Sequence, residues 1–174
     1  LGAIGRETAK RCRAFGMRVI ATRRTVPAGS SDPDCDVLLP YSELPRLLEE
    51  SDYVVLSLPL TAETRGLIGA VELARMKSTA YLLNVARGDV VDQGALIAAL
   101  KAGTIAGAAL DVTSPEPLPA DSGLWALPNL ILTPHMSGNV EGYGHKAAGV
   151  FVANLKRYVA GEPLEHLANA SLGY

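Results

Sequence analysis

Apolar residues recur at helical spacing in five stretches of the chain, and each recurrence predicts a helix. In the first stretch, Ile4, Thr8, Cys12 and Phe15 share one face, and Gly16 follows as a terminating residue. The predicted helices span residues 4–15, 42–50, 70–76, 93–101 and 139–160. The last of them carries one apolar stripe, formed by Val140, Tyr143, Ala147, Phe151, Leu155 and Tyr158.

Short runs that are almost continuously apolar predict strands at residues 17–22, 53–58, 80–85, 105–112 and 130–133. Unlike alternating runs, they are typical of strands that are buried on both faces of a parallel sheet. A helix comes first, strands and helices then alternate, and a loop is expected over residues 26–36. The pattern therefore predicts an α/β fold, a Rossmann-type doubly wound parallel sheet that lacks its first strand.

Length, charge and cysteine content narrow the functional classes. The 174 residues suit one domain, and a net charge of −2 argues against a nucleic-acid or anionic-membrane partner. No apolar stretch has the length and composition of a membrane span, and no metal site is predicted. The two cysteines, Cys12 and Cys35, are too few for a disulfide scaffold, so the predicted location is the reducing cytoplasm.

The chain opens on a pair of glycines in the segment Gly2-Ala3-Ile4-Gly5. Their spacing is that of the second and third glycines of G-x-G-x-x-G, which bring a pyrophosphate to a helix N-terminus. The first glycine would precede Leu1, so we expect residues upstream of this chain. The alternative is a loop glycine and a packing glycine without a ligand.

A second cofactor signal lies where the first predicted strand ends, about 20 residues further on. NAD enzymes usually place an Asp or Glu there for the ribose 2′-hydroxyl, whereas an Arg nearby accommodates a 2′-phosphate. Thr22, Arg23 and Arg24 occupy this place, and none of them is acidic. The sequence therefore favours NADP and leaves NAD possible, and the structural alternative is a solvated strand end.

Four further segments form a combined pattern. They are Leu58-Pro59-Leu60-Thr61 with Glu63-Thr64-Arg65-Gly66, Asn84-Val85-Ala86-Arg87-Gly88, Ala109-Leu110-Asp111-Val112 with Pro115-Glu116-Pro117-Leu118, and Thr133-Pro134-His135-Met136-Ser137-Gly138. In order and spacing, the chain resembles the nucleotide-binding half of the D-isomer-specific 2-hydroxyacid dehydrogenases. The resemblance extends to the C-terminal Gly173-Tyr174, which looks like a natural end in that family.

The resemblance implies an oxidoreductase that transfers a hydride between NAD(P)H and a small 2-keto or 2-hydroxy acid of D configuration. It assigns catalytic roles to Arg87, Glu116 and His135. These residue types suit the chemistry: an Arg fork binds a carboxylate, a His donates a proton near neutral pH, and a Glu can fix the His tautomer. The structural alternatives are a surface ion pair, a solvated loop residue and a structural histidine.

The resemblance also implies cofactor contacts and a domain organisation. Asp111 is expected to contact the nicotinamide carboxamide, although a capping or loop aspartate is the alternative. The other expected cofactor contacts are Pro59, Thr64, Val85, Ala86 and Gly138. Residues 1–160 would form the dinucleotide-binding domain, and residues 161–174 a tail that returns to a substrate domain built from chain upstream. Family members resembling this chain pair as homodimers, so a homodimer is expected.

Other functions remain open at this point. Non-catalytic corepressors resemble the enzymes even at the Arg, Glu and His positions, and phosphite dehydrogenases share the same three residues. Formate dehydrogenases use a glutamine where Glu116 stands, so the acid favours hydroxyacid chemistry. Because the first strand is missing, strands two and four of the order 3-2-1-4-5-6 would lack a shared neighbour. A gene remnant that no longer folds is a further alternative.

Overall fold

A computed structural model describes residues 1–27 and 30–168, and its regular elements alternate as predicted. The helices are α1 (Ala3–Ala14), α2 (Leu44–Glu50), α3 (Ala70–Arg75), α4 (Gln93–Ala102) and α5 (Tyr143–Ala160). The strands are β1 (Ile20–Arg23), β2 (Val37–Pro40), β3 (Tyr53–Leu56), β4 (Tyr81–Asn84), β5 (Gly107–Leu110) and β6 (Leu130–Leu132).

All strand pairs among the described residues are parallel, and they form two sheets. One sheet pairs β1 with β2, and the other has the order β3-β4-β5-β6. The predicted α/β fold is confirmed, and so is the expectation that two strands would lack a shared neighbour, because β1 and β3 lie in different sheets. In the larger sheet Asn84, Leu110 and Leu132 are aligned by register, so β4, β5 and β6 end at the same edge.

The core lies between the four-stranded sheet and the helices α2, α3 and α4. Its fully buried apolar side chains include Leu48, Leu73, Leu82, Leu96 and Ile105. The expectation of strands buried on both faces is wrong for β3, β4 and β6. On one face of these strands the residues Tyr53, Val55, Tyr81 and Ile131 are exposed, because they point away from the layer of helices.

The apolar faces predicted on the first and last helices are also not part of the core. In α1 only Ala9 is buried, and Ile4 and Phe15 are exposed. The last helix begins at Tyr143 rather than at residue 139, and it has no buried residue. Periodicity identifies an apolar face on a helix, but it does not identify what covers that face.

Local signals set several boundaries correctly, and one strand was not predicted. The Asp92 side chain caps α4 by accepting a hydrogen bond from the Ala95 N–H at 2.9 Å, and Gly103 ends that helix at φ 68°. The unpredicted strand is β2, which has four residues and ends in Pro40. A strand this short that ends in proline suits a sheet edge, where no partner needs the missing N–H.

Two expectations concern the chain termini and the membrane. None of the helices in the described part of the chain combines the length and apolar character needed to cross a membrane. Of the predicted tail over 161–174, residues 169–174 lie outside the described residues.

Candidate cofactor and substrate site

The three predicted catalytic residues follow three neighbouring strands. Arg87 comes after β4, Glu116 after β5 and His135 after β6. Because these strands are parallel and aligned, the three residues lie at the carboxyl edge of one sheet, where ligands bind in open α/β folds.

A direct hydrogen bond joins two of these residues. His135 Nδ1 lies 2.8 Å from Glu116 Oε2, and the other oxygen, Oε1, accepts the backbone N–H of Thr113 at 3.0 Å. The hydrogen bond from His135 has the largest effect on the pKa of Glu116 and lowers it against the opposing effect of burial, and the Thr113 N–H and the charge of Arg87 add to the lowering. Since an ionised carboxylate only accepts, Nδ1 carries a proton in this contact, and Nε2 has no hydrogen bond to any of the described residues.

The backbone of His135 is left-handed, with φ 52°, which is uncommon for a residue other than glycine. Asp111 holds this turn with both its backbone and its side chain. Its carbonyl accepts the His135 N–H at 2.8 Å, and its carboxylate accepts the N–H groups of Met136 at 2.9 Å and Ser137 at 2.8 Å. The Thr133 hydroxyl donates to the same carboxylate at 2.5 Å.

Asp111 is therefore a buried anion surrounded by donors. Burial disfavours its charged form, but the hydrogen bonds from Ser137, Thr133 and Met136 outweigh that effect and lower the pKa of Asp111 well below its ordinary value. The structure thus gives Asp111 the task of fixing the turn that presents His135. Its predicted contact with the nicotinamide carboxamide stays a prediction.

A buried amide shapes the turn that carries Arg87. Asn84 is fully buried, its Oδ1 accepts the Ala86 N–H at 3.0 Å, and its Nδ2 donates to the Arg87 carbonyl at 2.9 Å. The Val85 N–H donates to the Leu56 carbonyl of β3 at 3.2 Å. Asn84 was not among the predicted site residues, although a polar residue that ends a buried apolar strand was the available signal.

The turn that carries Arg87 and the loop that carries Glu116 are in close contact. A Cβ placed on Gly88 would lie 2.0 Å from the Thr113 carbonyl oxygen, so only glycine permits this approach. Asp89 binds the same loop, because it accepts a hydrogen bond from the Ser114 hydroxyl while also pairing with Arg65. These contacts lower the pKa of Asp89, Ser114 contributing the most.

The glycine-rich segment lies at the start of α1, as predicted. Gly2 is the residue that precedes the helix, and its carbonyl accepts the Arg6 N–H at 2.9 Å. A Cβ on Gly5 would lie 3.2 Å from Ser57 Oγ, so the helix packs closely against the loop after β3. The first turn of α1 has no acidic residue, and its N–H groups suit a pyrophosphate.

The end of β1 differs from its expected surroundings. The predicted segment Thr22-Arg23-Arg24 contains no acid, but the chain brings Asp32 to it from the following loop. Arg23 Nη2 donates to Asp32 Oδ2 at 3.0 Å, and Arg24 lies 3.5 Å from Glu63. Asp32 was not predicted at this place, because it lies nine residues after Arg23 and only the fold brings it to the strand end.

The remaining predicted cofactor contacts have different surroundings. Thr64 is buried, and its hydroxyl donates to the Pro59 carbonyl at 2.7 Å and accepts the Thr61 N–H at 2.8 Å, so it organises its own loop. Gly138 has open space where a Cβ would lie. The described residues do not include a group of three or more His, Cys, Asp or Glu that could hold a metal ion.

Comparison with known proteins gives a consistent match. The family model for the NAD-binding domain of D-isomer-specific 2-hydroxyacid dehydrogenases matches residues 1–137. A glyoxylate reductase from Korarchaeum cryptofilum is 42% identical over 172 residues, which cover 97% of this chain and 50% of that protein. This chain thus spans about half the length of the curated relative.

Solved structures of similar proteins match the whole chain. A D-isomer-specific 2-hydroxyacid dehydrogenase from Xanthobacter autotrophicus Py2, in complex with NADPH and MES, has a TM-score of 0.91 and 40% identity, with 100% of this chain and 70% of that chain covered. An NADPH-dependent glyoxylate/hydroxypyruvate reductase from Sinorhizobium meliloti, in complex with NADP and sulfate, has a TM-score of 0.91 and 27% identity. The match covers 100% of this chain and 55% of that chain.

Proposed function

Because the chain belongs to the D-isomer-specific 2-hydroxyacid dehydrogenase family, we propose that it forms the cofactor half of an enzyme that reduces a small 2-keto acid to the D-2-hydroxy acid. Residues 1–160 would form the dinucleotide-binding domain, and the segment from residue 161 would lead to a substrate domain. A homodimer of the complete enzyme stays a prediction. The observation that carries the proposal is the Glu116–His135 hydrogen bond at the sheet edge that also presents Arg87.

The residues present fit a nicotinamide dinucleotide. Gly2 and the first turn of α1 would hold the pyrophosphate with backbone N–H groups, and Gly5 lets that helix lie close to the strand layer. The turns after β4 and β6 would border the nicotinamide. When bound, the dinucleotide supplies a hydride for the carbonyl carbon of the substrate.

The side chains of this protein would bind the substrate and supply the proton that the reduction requires. Arg87 binds the substrate through its carboxylate or carbonyl oxygen, since a guanidinium offers a fixed fork of N–H donors. In its doubly protonated form, His135 gives the Nε2 proton to the carbonyl oxygen as that oxygen gains charge, and it keeps the Nδ1 proton toward Glu116. Glu116 holds Nδ1, so the donor is oriented before the substrate arrives.

We also propose that NADPH is preferred over NADH. The support is the pair of arginines, Arg23 and Arg24, where β1 ends, because a guanidinium suits a 2′-phosphate. The similarity to structures that hold NADPH or NADP agrees with this preference.

The proposal is tested by following NADPH oxidation by the intact protein with glyoxylate and with hydroxypyruvate. The variant His135→Gln removes the proton donor, so kcat should fall by about 10²–10⁴ while the dissociation constant for NADPH is unchanged. His145→Gln is the matched control, because His145 lies in the exposed helix α5 and has no assigned role. A His135→Gln protein that turns over at the original rate would refute the proposed role, and tight NADPH binding without turnover of any 2-keto acid would favour a corepressor.

A further inference from the structure

One buried carboxylate connects the phosphate-binding helix to the end of β1. The Asp32 side chain is only 5% exposed, and it receives a two-point fork from Arg6, whose Nη1 lies 2.7 Å from Oδ1 and whose Nη2 lies 2.5 Å from Oδ2. The same Oδ2 accepts Arg23 Nη2 at 3.0 Å, and Oδ1 also accepts the Asp34 N–H at 3.1 Å. Asp32 therefore links Arg6, 26 positions before it on α1, to Arg23, 9 positions before it on β1.

The two arginines at the end of β1 are held differently. Arg23 is bound to a carboxylate that the fold itself fixes, whereas Arg24 approaches Glu63, whose side chain is 76% exposed. The contact with Asp32 uses one terminal nitrogen of Arg23, and a guanidinium carries five N–H donors. An anchored guanidinium with donors remaining is suited to recognise a second anion, because its orientation is fixed in advance.

The charges at this site determine which effect Asp32 has on a phosphate. A lone carboxylate near a 2′-phosphate would repel it, but the charge of Asp32 is balanced, because Asp32 and Asp34 together pair with Arg6 and Arg23. The fork from Arg6 lowers the pKa of Asp32 against the opposing effect of burial, and the Asp34 N–H adds to the lowering. Asp32 is thus a compensated anion, and its remaining influence on a ligand is through the position of Arg23.

We propose that Asp32 is a positioning residue for cofactor selection, which holds Arg23 in the orientation that recognises the 2′-phosphate of NADPH. The inference rests on the proposed function, in which Arg23 contacts that phosphate. This positioning role differs from a purely structural role, because only the binding of NADPH, and not the binding of NADH, should depend on Asp32.

The test compares the dissociation constants of NADPH and NADH for the intact protein and for Asp32→Asn. The substitution keeps the shape and one acceptor oxygen but loses the charge that anchors Arg23. We expect NADPH to bind about three- to tenfold more weakly, the cost of ordering a free arginine, and NADH to change by less than about twofold. Asp34→Asn is the matched control, because Asp34 lies in the same loop and pairs with Arg6 at 2.9 Å but has no described contact with Arg23.

Each outcome distinguishes between the explanations. Tighter NADPH binding to Asp32→Asn would show that the charge of Asp32 matters more than its positioning of Arg23. Equal losses of affinity for both cofactors, or the same change in Asp34→Asn, would show a structural role. Each of these results overturns the inference.

In an Arg23→Ala background, Asp32→Asn should have no further effect on the ratio of the NADPH and NADH dissociation constants. If Asp32→Asn does not fold, Asp32→Glu keeps the charge but displaces Arg23, and an unchanged ratio in that variant would equally overturn it. Equal binding of both cofactors by the unmodified protein would instead refute the proposed NADPH preference.

Discussion

Replacing Gly88 with alanine should displace the loop that holds Glu116 without altering any side chain assigned to chemistry. The new Cβ would lie 2.0 Å from the Thr113 carbonyl oxygen, 2.1 Å from its carbonyl carbon and 2.7 Å from the Ser114 nitrogen. These are backbone atoms, so no side-chain rotation relieves the overlap. Because non-bonded atoms separate to about 3.5 Å, the Thr113 backbone must withdraw by roughly 1–1.5 Å.

That withdrawal acts on the chemistry through one hydrogen bond. The Thr113 N–H donates to Glu116 Oε1 at 3.0 Å, and Glu116 in turn holds His135, so the His135 ring loses its orientation when Thr113 moves. A misplacement of about 1 Å can cost about 10²-fold in rate, which is the expected fall in kcat. Overpacking of this kind costs about 1–3 kcal/mol, which corresponds to a fall of roughly 2–12 °C in Tm.

The assay combines a thermal melt with steady-state kinetics and NADPH binding. Gly88→Ala should lower both Tm and kcat, while the dissociation constant for NADPH stays within about twofold, because the glycine-rich segment is not displaced. The control is Gly149→Ala in α5, where no atom lies within 4 Å of the added Cβ. Loss of a helical glycine there should leave Tm unchanged or slightly raised. A Gly88→Ala protein that melts earlier but keeps its kcat would refute the link between this contact and the chemistry.

Two further changes test the substrate contact and the turn that presents His135. Arg87→Lys should raise KM for the keto acid about 10–100-fold with a smaller effect on kcat, since an ammonium cannot reproduce the fork; an unchanged KM in steady-state kinetics would contradict that role. Asp111→Asn should lower the free energy of unfolding by roughly 3 kcal/mol at pH 7, because the buried anion with its lowered pKa is lost. A carboxyl with a lowered pKa in the folded state stabilises above its unfolded pKa of about 3.9 and loses that contribution at lower pH. The difference between the two proteins in denaturant unfolding should therefore shrink below about pH 4, and a difference that grows there would exclude this explanation.

Elements with strong local signals were predictable from the sequence. The helix α4 is preceded by a capping aspartate, Asp92, and followed by a terminating glycine, Gly103, and the structure has both in these roles. Arg87, Glu116 and His135 each follow an apolar strand, and parallel strands bring such positions to one edge. The geometry of that edge thus follows from strand order, and the sequence carries enough information to infer it.

Features that depend on distant contacts were not predictable in the same way. The partners of Asp32 lie on α1 and β1, and nothing within its own loop indicates a buried ion pair. The close approach at Gly88 depends on where the loop after β5 packs. The apolar stripe of α5 identifies one face of the helix, but burial depends on neighbouring elements, and α5 has no buried residue.

The division of the site among three strands makes its assembly a late event in folding. Arg87, Glu116 and His135 come together only after β4, β5 and β6 have paired in order, and parallel neighbours pair only across a long crossover. Closing each crossover costs chain entropy before the new contacts stabilise the sheet. The last strand, β6, has three residues and pairs with β5 alone within the described sheet. A polypeptide emerging from the ribosome therefore carries Arg87 and Glu116 well before β6 docks and brings His135 to them.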